Sequence, residues 1–600
     1  MNFFRRHYIK RRYLLVLCTY LLIFCCLTGS FLTSCSFGTS QTRHELTNDT
    51  EAFDDFSQDL FCTELKSNTM NLHFTLAHPE NYGITNAPIT LGTISAKASA
   101  TENASVENTK TLLDGYDYSS LTKKQQLTYD ILSDYLTTEL TGAGFYLYNE
   151  YLNPSSGVQS QLPVLFEEYR FYDEQDVKDY LALLPLTKKY FEEIISFEKE
   201  KAAAGLFMPD KTCDSLIAQC ADFTLDLENH YLIKTFDKKI ASVPSLSNET
   251  RAAYQRQNAK IVRDYIFPAY DELSAALSEL KGRGKNDKGL CYFDKGKDYY
   301  KYLVYYNTGS SLSIEEMEAA IIGQRAADLS ESSSLIKENP GLWSQSEQAA
   351  LTDMDASAVL SLLQERMQKN FPKAPATEYT VSYIDECMQD YLAPAYYITA
   401  PIDNYKQNSI FINAATDSSS LRYFTTLAHE GFPGHLYQTV MSYEAGMAPV
   451  RCILNYPGYV EGWATYVEML SYQYAGLDEK IARLMSLNQS ALLSLYASTD
   501  IGIHYDGWSY SDTAQFWKNF GIENQSAIAD VYQYILSEPG NYLKYYVGYL
   551  EFLKLKNDAK ETYGSYYSDI AFHKAVLDIG PAPFAIVKKY LNDYYSPEDF

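Results

Sequence analysis

A chain of 600 residues, 46% hydrophobic and 14% aromatic, carries enough apolar material for a large buried core. Its formal charge is −26, with 76 acidic side chains against 50 basic ones. That balance argues against nucleic acid as a partner, because phosphate binding needs basic patches.

The first 34 residues read as a signal peptide. Arg5, Arg6, Lys10, Arg11 and Arg12 precede an apolar run from Tyr13 to Leu32. Leu32-Thr33-Ser34-Cys35 then resembles a bacterial lipobox, which implies cleavage before Cys35 and lipid on its thiol and amine. An uncleaved anchor is the alternative, since such a run could span a bilayer. Either way the body sits outside the cytoplasm, tethered to a membrane. Loss of the leader, with five basic residues and no acid, takes the charge from −26 to −31. Residues 35–60 are polar and acidic and read as a flexible tether. Later cysteines are Cys62, Cys213, Cys220, Cys291, Cys387 and Cys452, with no Cys-x-x-Cys pair. Zinc-ribbon and thioredoxin-type sites are therefore disfavoured, and buried free thiols are expected.

Residues 61–600 read as one mainly helical domain, with the chemistry in about 395–600. Leu121, Leu127, Ile131, Leu132, Tyr135, Leu136 and Leu140 recur at helical spacing over Ser119–Leu140. Thr187–Ala204 repeats the pattern and stops at Gly205. A longer helix over 250–281 contains Pro268, which predicts a kink or break. Gly282–Gly289 is Gly-rich and basic, but no Gly-Lys-Ser/Thr closes it, so it reads as a surface loop rather than a phosphate loop. Ser313-Ile314-Glu315-Glu316 matches a capping box that opens another helix. Tyr396–Ala400 and Ser409–Asn413 are strand-like and predict a short hairpin. The next helix starts at Asp417 or one of the serines 418–420 and runs to His429.

That helix leads into His429-Glu430-Gly431-Phe432-Pro433-Gly434-His435, two histidines and a carboxylate in a chain with nine histidines. A zinc hydrolase needs protein ligands, an open position and a base for water. The familiar His-Glu-x-x-His helix puts its histidines at i and i+4. Here Pro433 stands at i+4 and His435 at i+6, about 240° around a straight helix. Either Pro433-Gly434 breaks the backbone and returns His435 to a shared metal, or the two histidines are not joint ligands.

The segment resembles the His-Glu-x-x-Pro-Gly-His-x-x-Gln signature of the bacterial family catalogued as domain of unknown function 885, with gluzincin-type metallopeptidases as relatives. Glu461-Gly462-Trp463-Ala464, Asp500-Ile501-Gly502-Ile503-His504 with Gly507-Trp508, Pro539-Gly540 with Tyr545–Gly548, and Phe572-His573 follow in the family's order. Leu436 and Phe432 depart from it mildly. The resemblance implies a large helical fold with a cleft and a small hairpin or sheet beside the metal helix. It implies one zinc ion held by His429, His435 and Glu461, with Glu430 as the base that takes a proton from the attacking water. Glu468, seven residues after Glu461 and on nearly the same helical face, would orient a ligand. His504 and Tyr545, with Tyr546 as the alternative to the latter, are candidates for stabilising the oxyanion. His573 reads as a core or supporting histidine. The expected activity is peptide-bond hydrolysis by a lipid-anchored zinc peptidase. The alternatives are a non-catalytic lipoprotein that binds a peptide or other ligand, and a hydrolase of non-peptide amides. No Gly-x-Ser-x-Gly elbow appears, which disfavours a serine hydrolase.

Overall fold

The computed structural model describes residues 49–349, 351, 353–384, 389 and 394–594. The leader, Cys35, the tether up to residue 48 and Cys387 lie outside them. The fold is mainly α, with one small sheet. Its contacts divide into two compact units, residues 49–287 with 401–404, and residues 288–400 with 405–594. The span expected as one domain thus contains two units, and the division falls in the Gly-rich loop.

The first unit begins with α1 (Asp49–Lys66), which corrects the tether: residues 49–60 are helix. Phe53, Phe56, Leu60, Phe61 and Leu65 are buried along one stripe, hidden in the sequence among Asp54, Asp55 and Asp59. Helix α2 (Lys123–Gly142) opens on a capping box between Thr122 and Gln125. Helix α3 (Leu186–Ala204) ends on Gly205 at φ 77°, the left-handed stop its sequence signals. Between α4 (Asn248–Ile261) and α5 (Phe267–Leu280) lies a π turn, Val262–Ile266. Pro268 has no N–H for the preceding turn, and the wider π turn joins the two helices ahead of it.

The second unit holds α6 (Ile314–Glu338), opened by the Ser313–Glu316 capping box. Its sheet has the order β1-β3-β2, with β1 Glu378–Tyr383, β2 Ala395–Ile398 and β3 Gln407–Ile412. Strands β2 and β3 form the expected antiparallel pair, Tyr397 opposite Ile410, and β1 joins β3 in parallel. The remaining helices that matter are α7 (Leu421–Glu430), α8 (His435–Glu444), α9 (Pro457–Ser471), α10 (Glu479–Ile501), α11 (Asn541–Tyr563) and α12 (Asp569–Ile579). Helices α9 and α11 meet backbone to backbone. A Cβ on Gly462 would lie 2.5 Å from the Gly548 carbonyl carbon, and one on Gly548 would lie 2.2 Å from the Gly458 oxygen. Only glycine fits there, so the Gly-x-x-x-Gly spacing of 458 and 462 sets the depth at which Glu461 is held.

Candidate metal centre

Ser420 caps α7 by accepting the Tyr423 N–H at 3.1 Å. The helix stops at Glu430, and a new one starts at His435. Between them the chain folds back so closely that a Cβ on Gly434 would fall 1.7 Å from the His429 oxygen. Three bonds hold this break. The Trp463 indole N–H donates to the Pro433 carbonyl at 2.9 Å. The Tyr437 N–H donates to the Gly431 oxygen at 3.2 Å, and the Tyr437 hydroxyl to the Pro372 oxygen at 2.6 Å. The break brings the His435 ring to 4.8 Å from the His429 ring, at 83°. Of the two arrangements the spacing leaves open, the structure has the broken helix.

Glu461, from α9, meets both rings. Its Oε2 lies 3.4 Å from His429 Nε2 and 3.5 Å from His435 Nε2. Possible ligand atoms of His429, Glu430 and His435 lie within 4.8 Å of one another. On the far side of His429, Nδ1 lies 3.1 Å from Glu468 Oε2, which turns Nε2 toward Glu461. Glu430 Oε2 accepts the Tyr397 backbone N–H from β2 at 3.0 Å. The cluster is closed off: His429 and Glu461 are 0% exposed, Glu430 3% and His435 9%.

The charges explain each other. Burial alone would disfavour a charged His429, but Glu461 and Glu468 outweigh it and push the imidazole up to about 10. Burial would raise the Glu461 carboxyl, yet the two imidazoles hold it well below the usual range. Burial raises Glu430 against the pull of His435 and His429. Neither oxygen of Glu461 accepts a hydrogen bond. A buried carboxylate in that condition is expensive unless a cation faces it: the protonated His429 in the metal-free centre, or a divalent ion once the imidazoles give up their protons. Two imidazole nitrogens and a carboxylate oxygen converging on one point are a donor set that fits a divalent cation.

The structure thus brings His429, Glu430, His435, Glu461 and Glu468 together, and places His504 elsewhere in the bonding scheme. His504 accepts the Leu290 N–H on Nδ1 at 3.2 Å and donates from Nε2 to the Ile535 oxygen at 2.8 Å. Burial holds its ring neutral, with a pKa near 4. Both nitrogens are committed to backbone groups, so the oxyanion role expected for His504 is corrected to that of a structural pin. Asp500 works beside it, accepting the Tyr300 hydroxyl at 2.7 Å and the Gly540 N–H at 2.9 Å. Tyr545 sits on α11 one turn before Gly548, on the helix that packs against that of Glu461. Tyr546 turns instead to Ser490, 3.3 Å away, whose hydroxyl donates to Asp328. No role for Trp463, Tyr437 or the Tyr397 backbone N–H was read from the sequence. An indole two residues from a ligand is a readable signal for the first, whereas a backbone donor leaves none.

Fold and site define a large, mainly helical protein with a buried His-Glu centre at a helix break. The family model described as "Bacterial protein of unknown function (DUF885)" matches residues 81–591, and the chain belongs to that family. Two solved structures share its fold. A candidate lipoprotein from Colwellia psychrerythraea superposes with a TM-score of 0.80 at 19% identity, covering 92% of this chain and 99% of its own. A candidate lipoprotein of unknown function from Shewanella oneidensis gives 0.61 at 16% identity, covering 90% and 99%. No curated protein matches the chain.

Proposed function

We propose that this protein is a zinc-dependent peptidase, tethered by lipid at Cys35 and acting on peptides outside the cytoplasm. The observation that carries the reading is the buried Glu461 carboxylate, which accepts no hydrogen bond and faces two imidazoles, with a second carboxylate, Glu430, beside them. His429, His435 and Glu461 hold the ion. A bound zinc ion supplies Lewis-acid polarisation of a carbonyl and lowers the pKa of water. Glu430 takes the proton of the attacking water and passes it to the leaving amine. The Tyr397 N–H on Oε2 aims that carboxylate, and Glu468 fixes the tautomer of His429. Tyr545 is the remaining candidate for the developing oxyanion. The leader motif ending at Cys35 supports the compartment, as do the two candidate lipoproteins that share the fold.

The test is metal analysis of the purified body beside a peptide-library assay of wild type and Glu430→Gln. The expected result is about one zinc per chain and cleavage that falls about 10²–10⁴-fold in the variant. A metal-free wild type matched by His429→Ala would sink the reading. Stoichiometric zinc without cleavage would select the non-catalytic, ligand-binding alternative.

A further inference from the structure

Against Trp463 lies another buried histidine. His573, on α12, is 0% exposed. Its Nδ1 lies 2.7 Å from the Asn370 carbonyl oxygen, which only accepts, so Nδ1 carries the proton. Nε2 is then the acceptor for the Tyr466 hydroxyl at 2.8 Å. The ring stacks on Phe371 with centroids 4.0 Å apart and planes 11° apart. The tautomer, plane and position of His573 are therefore all set.

The partners of His573 connect to both halves of the centre. Tyr466 and Trp463 lie on α9, the helix of Glu461. Phe371 packs edge-on against Trp463 at 5.9 Å and against Tyr437 at 6.3 Å. Trp463 grips the Pro433 carbonyl, and Tyr437, on the helix that begins at His435, donates to the Pro372 carbonyl. The segment Asn370-Phe371-Pro372 is thus a strut. One end is held by His573, and its sides bear on the helices that present His435 and Glu461.

We propose that His573 is a positioning residue for the metal centre: through Tyr466 and the 370–372 strut it sets His435 and Glu461 relative to each other. The proposal rests on the metal reading of that centre. It assigns His573 no contact with ion or substrate. Its effect is on affinity for the ion: partners bonded directly to a ligand change metal binding about 10–100-fold, and His573, one step further out, acts at the lower end of that range.

The experiment compares wild type, Tyr466→Phe and His573→Phe. Tyr466→Phe removes one oxygen, bonded to both His573 and Lys556 Nζ, and keeps the packing, which guards against a variant that fails to fold. His573→Phe keeps the stack on Phe371 and loses both hydrogen bonds. Zinc dissociation constants are measured on folded protein by competition with a chromophoric chelator, and melting of the metal-free forms is followed separately. The expected result is a zinc affinity at least about tenfold weaker in both variants. Unchanged zinc affinity with a lowered metal-free melting temperature would overturn the proposal and leave His573 a plain core residue. A wild type that takes up no zinc would overturn the metal reading, and this proposal with it.

Discussion

His429 and His504 show what decides whether a buried histidine serves chemistry or architecture. Both are enclosed, but His429 faces carboxylates on two sides, whereas His504 faces a backbone donor and a backbone acceptor. The surroundings move their pKa values in opposite directions, up to about 10 for one and down to about 4 for the other. For His504 the consequence is a pH dependence with a definite sign. The folded state favours the neutral ring, so its contribution is complete above the unfolded pKa of about 6.5 and is lost as the pH falls toward 4. His504→Gln should be less stable than wild type at pH 7, and the gap should narrow by up to about 3 kcal/mol on acidification to pH 4. Urea unfolding at several pH values measures this; a gap that stays constant would contradict it.

Helix ends and helix contacts make the centre. Where Gly462 and Gly548 face each other's main chain, the α9–α11 contact offers no side chain that can turn aside. Gly462→Ala should therefore cost about 1–3 kcal/mol, as overpacking does, and lower the melting temperature in proportion. An alanine variant that melts with wild type would show that the helices can separate cheaply. The helices α2, α3 and α6 were legible because caps and apolar periodicity mark them locally. The α7 start was legible too, as one of the serines before Leu421. Strand β1 was not noticed, although Glu378-Tyr379-Thr380-Val381-Ser382-Tyr383 alternates polar and apolar residues, because its bonds depend on a parallel partner, β3, that comes only after β2 in sequence. The histidine pair was legible as residue types but not as geometry. Six residues of spacing allow a shared centre only if the chain breaks, and the break depends on Trp463, thirty residues further on.

On the proposed metal reading, folding and ion binding are coupled across the second unit. His435 comes after the break, His429 before it, and Glu461 from a third helix, so an unfolded chain has no such seat. Free zinc at 100 times its dissociation constant should add about 2.7 kcal/mol to stability. A chelator should correspondingly lower the melting temperature of wild type and leave His429→Ala unmoved; equal responses in both would deny the coupling. The glycine pair carries one more consequence. Side-chain interfaces can give by changing rotamers, but at the Gly462–Gly548 crossing α9 and α11 touch through main chain and have none to change. Glu461 is thus mounted one residue from a crossing that cannot yield by side-chain rearrangement, so a shift of α11 there carries the carboxylate with it.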